Sequence, residues 1–159
     1  MALTAMRGTM EAWWNVAAPA SLTAPSAAAV LAYTDILHGT GSDGECLADM
    51  DGWGRNVGTV AIPDACSLTT KTIPGENTLG VGSLTYYLDD TTTPIKDLFT
   101  IGLVGHVILA PIGVVSTLRS VIAKVTVLTN QVNYAVANEG ATFTVTFSKT
   151  SQTNGIFAA

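Results

Sequence analysis

The chain has 159 residues, the size of one ordinary domain, and is 48% hydrophobic but only 12% charged, about half the usual charged share of ~25%. That balance excludes a disordered tail. A net charge of −5 with seven scattered Lys and Arg excludes a protein that grips nucleic acid through a basic patch.

In chain order, Thr9 to Val16 (TMEAWWNV) reads as a strand with bulky β formers at Trp13, Trp14 and Val16. Ala17 to Pro25 is a turn-rich connector. Pro25 to Ala32 reads as a short helix with Ala27, Val30 and Leu31 on one face. Tyr33 to Leu37 is a short extended piece. Gly39 to Gly58, dense in Gly and Asp, reads as a long loop, and a loop of that length in one domain is usually functional.

The second half is strand-rich. Val57 to Ile62 ends at Pro63, and Ser67 to Ile73 stops at a Pro74–Gly75 turn. Ser83 to Leu88 alternates, with Leu84, Tyr86 and Leu88 on one face. Thr93 is positioned to cap a short helix from Pro94 to Phe99, whose Ile95, Leu98 and Phe99 fall together. Val104 to Ala110 and Val121 to Leu128 are further strands. Thr142 to Ser148 alternates strictly, with Phe143, Val145 and Phe147 on one face and threonines on the other. The tail from Lys149 shows no period. The fold class is mainly β, one domain over 1–159 with one or two short helices, a long loop at about 38–58 and a C-terminal arm at about 149–159.

The greasiest stretch, Ile101 to Val115, is 15 residues long and holds His106, Pro111 and three glycines, short of the ~20 needed to span a bilayer. Arg7 is followed by Glu11, Asn15 and Pro19, which leaves no signal-peptide core. Cys46 and Cys66 lack metal-site spacing and leave two options, one bridge or two buried thiols. A soluble protein made in a cytoplasm is expected, with no membrane partner. Nineteen charges are few for the surface of a stable monomer, even with 23 threonines to keep strands wet. Much of this surface is therefore expected to meet another copy of the chain.

Chemistry-bearing patterns are weak. Gly39 to Gly44 spells G-x-G-x-x-G, but the following Asp49, Asp51, Gly52 and Gly54 make a poor helix for a dinucleotide site. Asp49-Met50-Asp51-Gly52 placed in a calcium-loop register would need Leu47 and Gly58 as ligands. His106 lies within an apolar strand, His38 stands apart, and Asp89–Asp90 precedes three threonines as a turn would. Adjacent Trp13 and Trp14 point to opposite faces of a strand, which spoils a stacking platform. Neither an enzyme nor a cofactor or metal site is expected.

The order of features resembles the major tail (tail tube) proteins of long, non-contractile-tailed bacteriophages, those of actinobacteria in particular. A double-Trp strand leads to an AAP…AP connector with an Ala-rich helix, then Thr34-Asp35-Ile36, a long loop, and Gly52-Trp53-Gly54. Thr72-Ile73-Pro74-Gly75, a Leu-Tyr-Tyr-Leu-Asp strand and the small helix follow, and the chain closes with Lys124 to Leu128 and Ala141 to Phe147. The N-terminal arm is short for that pattern. The resemblance implies a β-sandwich or split barrel that closes into hexameric rings, which stack into a hollow tube. Double-stranded DNA passes through such a bore unbound, and tape-measure, terminator and tip proteins are the other partners. It further implies a virion tail protein assembled in the host cytoplasm. The loop residues Asp49, Asp51, Trp53 and Arg55 are then expected to touch the next ring, and Ile156 and Phe157 to act in a C-terminal arm. A capsid-decoration or cell-surface adhesive β-domain, or a small carbohydrate-binding module using the tryptophans, are the alternatives.

Charge is uneven: residues 1–100 hold eleven acids and four bases, and residues 101–159 hold one acid and three bases. Such a polarity suits head-to-tail association.

Overall fold

Period-two alternation governs most of this chain. The computed structural model describes residues 11–37, 47–54, 56–62, 71–87, 94–134 and 141–158, with the backbone alone over 56–62, 71–78 and at Pro94. Among these residues are nine strands: β1 Glu11–Asn15, β2 Thr34–Asp35, β3 Leu47–Asp51, β4 Asn56–Ile62, β5 Lys71–Thr78, β6 Val81–Tyr87, β7 Val104–Ala110, β8 Arg119–Asn133 and β9 Thr142–Ile156. Two short helices, α1 Ala27–Val30 and α2 Pro94–Leu98, accompany them. Seven strands form one antiparallel sheet in the order β2-β1-β7-β8-β9-β6-β3, and β4 and β5 pair as a separate two-stranded sheet.

The inner face of the large sheet carries the main core. Trp14, Leu84, Tyr86, Val107, Val125, Phe143, Val145 and Phe147 are buried there, and α2 brings Ile95 and Phe99 onto them. The rings meet edge to face, Trp14 on Phe99 at 5.2 Å and Phe99 on Phe147 at 5.2 Å, while Tyr86 stacks on Phe143 at 4.9 Å. Such pairs add to the burial of their area. Asn130 on β8 donates its side-chain amide to the carbonyls of Lys96 and Phe99, at 2.7 and 3.0 Å, and so ties the end of α2 to the sheet.

A second, smaller core lies on the opposite face. Val30 of α1 packs there with Ile108, Ala110, Val114, Ile122 and Phe157, and half-buried Trp13 joins them. Trp13 and Trp14 thus serve two cores from adjacent positions, as alternation requires. Gly105 on β7 makes this possible, because a Cβ there would collide with the Trp14 ring and the Asn15 carbonyl.

Three readings of the sequence are corrected. Most of the described part of the expected 38–58 loop is strand: Leu47–Asp51 is an edge strand paired with β6 and Asn56–Gly58 opens β4, with Gly52–Gly54 alone outside regular structure. Two aspartates on a sheet edge look like a loop in sequence, yet charge is how edge strands avoid unwanted pairing. Pro74–Gly75 is not a turn but lies inside β5, where the register shifts opposite Val57 and Thr59; a two-stranded sheet leaves an outer edge on which Pro costs no hydrogen bond. The described residues of the expected arm, 149–158, do not stand free of the sheet, since β9 runs on to Ile156 beside β8. Beyond it, Phe157 N–H donates to the Leu118 carbonyl and Ala158 N–H to that of Pro25, both at 2.9 Å.

The expected strand from Thr9, helix from Pro25 and helix start at Thr93 shrink or begin outside what is described. The first is a strand over Glu11–Asn15, and α1 covers Ala27–Val30. Residues 39–46, Cys46, Cys66, His38, Leu88, Asp89, Asp90 and Thr93 lie outside the described residues.

Candidate assembly surfaces

The outer face of β6, β8 and β9 is covered by neither helix core and is built mainly of hydroxyls and amides, with exposed Val81 and Tyr87 at the two ends of β6. Cross-strand register sets Thr129 beside Thr146 and Ser83, and Gln131 beside Thr144 and Thr85. Thr129 and Thr146 hydroxyls lie 2.6 Å apart, Thr85 and Thr144 3.1 Å, and Asn133 donates to Thr144 at 3.3 Å. Asp51 pairs with Ser83 and Asp49 with Thr85, so both exposed carboxylates extend this face along the β3 edge. Lys124, cross-strand from His106, lies on the same face toward the other side. The result is a broad polar surface almost without cations.

Trp53 sits elsewhere. Its ring is buried against Phe147, with centroids 5.6 Å apart, and its indole N–H donates to the Ser83 carbonyl at 3.0 Å. Gly82 leaves room for it, since a Cβ there would lie 3.1 Å from the indole. Two inward residues of β9 hold the segment from below. Lys149 donates to the carbonyls of Gly52 and Gly54, and Gln152 to that of Trp53. Gly52 has φ +74° and a Cβ there would run into the Val81 carbonyl, so only glycine fits. Burial pulls the Lys149 ammonium below its ordinary 10.5, because low dielectric disfavours the charged form.

The six residues singled out in sequence therefore separate. Asp49 and Asp51 share one exposed face, and Ile156 is exposed. Trp53 and Phe157 are buried in the chain's own cores. Arg55 lies outside the described residues. Lys149 and Gln152 were missed, and their signal was an amphipathic β pattern hidden by polar residues at inward positions.

His106 on β7 is buried, and burial, with a smaller push from Lys124, draws its imidazole below the ordinary 6.5, against a backbone hydrogen bond with Val16. Its Nδ1 has no hydrogen-bond partner among the described residues. No cluster of three or more His, Cys, Asp or Glu able to hold a metal occurs among the described residues. No described helix is long and apolar enough to cross a membrane.

At the end of the sheet where β8 starts and β9 finishes, a cleft of 710 Å³ opens between the connector, the β7–β8 turn and the C-terminal strand. Thr23, Pro111, Val121, Ile156 and Phe157 contribute to its walls, and Arg119 and Ser120 line it. The Ser120 hydroxyl is buried and has no partner among the described residues.

The fold is mainly β and of a tail type, shared with chains of anti-feeding prophage particles. A chain in the cryo-EM structure of the anti-feeding prophage baseplate, symmetrised six-fold, superposes with a TM-score of 0.59 at 9% identity, covering 97% of each chain. A chain in the structure of the anti-feeding prophage cap, which terminates its tube, gives 0.52 at 11% identity, covering 94% of this chain and 89% of that one. No family profile matches the sequence. No curated protein matches it either.

Proposed function

We propose that this protein is a structural subunit of a phage-type tail, closing into six-membered rings that stack as the tail tube. The outward face of β6, β8 and β9 carries the reading: hydroxyl-rich, short of cations and edged by Asp49 and Asp51. Lining a bore, it would let a duplex slide, because DNA carries one negative charge per ~1.7 Å and adheres where Lys and Arg cluster. Closing β3 of one subunit against the next removes a free sheet edge. The fold shared with chains of a baseplate and a tube cap supports a structural rather than a catalytic role. On this reading the partners are further copies, the tape measure, terminator and tip proteins, and DNA in transit. The site of action is the virion tail, assembled in the host cytoplasm, and a non-contractile tail is the form the sequence order favours.

Sedimentation velocity with negative-stain microscopy of the purified chain tests this. Rings of six and hollow filaments are expected. A monomer at every concentration, without filaments, would overturn it and favour a decoration, adhesive or glycan-binding domain. Assembled tubes are further expected not to retain duplex DNA at physiological salt; a micromolar affinity with a steep salt slope would refute the low-friction bore.

A further inference from the structure

Two features of the surface have no role inside one subunit. The first is the cleft at the start of β8, apolar at Pro111, Val121 and Ile156 and rimmed by Arg119. The second is Tyr134, which directly follows β8 and is 81% exposed. They stand at opposite ends of a strand of 15 residues, about 50 Å apart at ~3.3 Å per residue. Curling and two register shifts shorten that span but do not bring its ends together. One subunit cannot fill its own cleft with its own tyrosine.

Charge is unevenly placed along the chain as well. The β7–β8 turn, 111–118, and the connector 16–33 contain no charged residue, and Arg119 is the one cation among the described residues lining the cleft. Glu11, at the same end, has its carboxylate engaged by Val114 N–H at 3.2 Å. The segments that follow β6 and β8 in sequence, 88–93 and 135–140, carry Asp89, Asp90 and Glu139 and no Lys or Arg.

We infer that Tyr134 of one copy docks in the Pro111–Val121–Ile156 cleft of a second copy, a head-to-tail contact along the β8 axis. This rests on the stacked-ring reading and names its inter-ring contact. The same two patches are free again at each end of such a pair, so the contact propagates rather than closes. A tyrosine suits the site, since aromatic side chains in desolvated pockets dominate association energy. Its exposed position makes it removable without touching either core.

The test uses the full-length chain with p-benzoylphenylalanine replacing Tyr134, prepared as a mixture of ¹⁴N and ¹⁵N copies and irradiated after assembly. Cross-links between light and heavy chains, mapping to peptides that contain Pro111, Val121 or Ile156, are expected. In parallel, Tyr134→Ala is expected to raise the concentration needed for filaments by at least ~10-fold, with rings retained and the circular dichroism unchanged. Arg119→Glu should act in the same direction. Cross-links confined to one chain or mapping elsewhere, or Tyr134→Ala filaments at the unmodified concentration, would overturn this contact and leave the ring reading standing. An unmodified chain that never leaves the monomer overturns both.

Discussion

Lys149 is the residue on which the edge of the sheet turns. A buried ammonium with carbonyl partners and no carboxylate against it in the described contacts is costly. It is kept because Gly52 and Gly54 would otherwise leave two carbonyls unpaired beneath Trp53. Lys149→Met is expected to destabilise the fold by about 1–3 kcal/mol, the cost of stranding such groups. A red shift of tryptophan emission alongside a lower denaturation midpoint would show that Trp53 has been released. An unchanged midpoint would mean that water replaces the ammonium at no cost. His106 makes a prediction with a sign. Its folded value lies below 6.5, so the unfolded chain binds the proton first as pH falls. Stability is complete above the ordinary value and declines as pH drops through it toward the folded one. His106→Gln should flatten that decline as pH falls below the ordinary 6.5, measured by urea midpoints on either side of it.

At the scale of elements, two tryptophans rest on strand glycines: Trp14 on Gly105 and Trp53 on Gly82. Gly105→Ala pushes a methyl into the Trp14 ring and should cost about 1–3 kcal/mol, while Trp14→Ala empties the site and should cost about 3–5 kcal/mol. Equal, negligible losses in thermal melts would refute the assignment of Trp14 as the centre of the larger core. The strands with clean alternation, β6 with Leu84 and Tyr86 and the first half of β9, were legible in the sequence because one face is apolar, and β7 because it is a continuous apolar run buried on both faces. The second half of β9 was not, for two physical reasons. Its inward residues Lys149 and Gln152 are polar, and a register shift between them moves the inward position by one, which erases the period a reader relies on. Edge strand β3 was hidden in the same way, by aspartates on its exposed side. The surface face was half legible: threonines outward on β9 were plain, but that Asp49 and Asp51 join them required the register of β3.

At the scale of the whole molecule, the β4–β5 hairpin stands apart. It makes its own sheet, and two strands without a third, or a surface to pack on, are only marginally stable in water. Its two ends join β3 and β6, which are neighbours in the large sheet, so the hairpin is rooted at the Gly52–Gly54 segment that Lys149 and Gln152 clamp. A shape of that kind holds its order best when a neighbouring subunit covers it. Amide exchange measures this directly. In dilute monomer, residues 56–62 and 71–78 should exchange far faster than β8 or β9, whose bonds open only with the global fold. On assembly their protection should rise by at least ~10-fold, which is what a gain of about 1.4 kcal/mol in local stability produces, while β8 and β9 change little. If the hairpin is already as protected in the monomer as β8, it is packed on its own subunit and is free of any role between copies. If it stays unprotected in finished tubes, the ring and the stack are held elsewhere, and the face bearing Asp49 and Asp51 must close without its help.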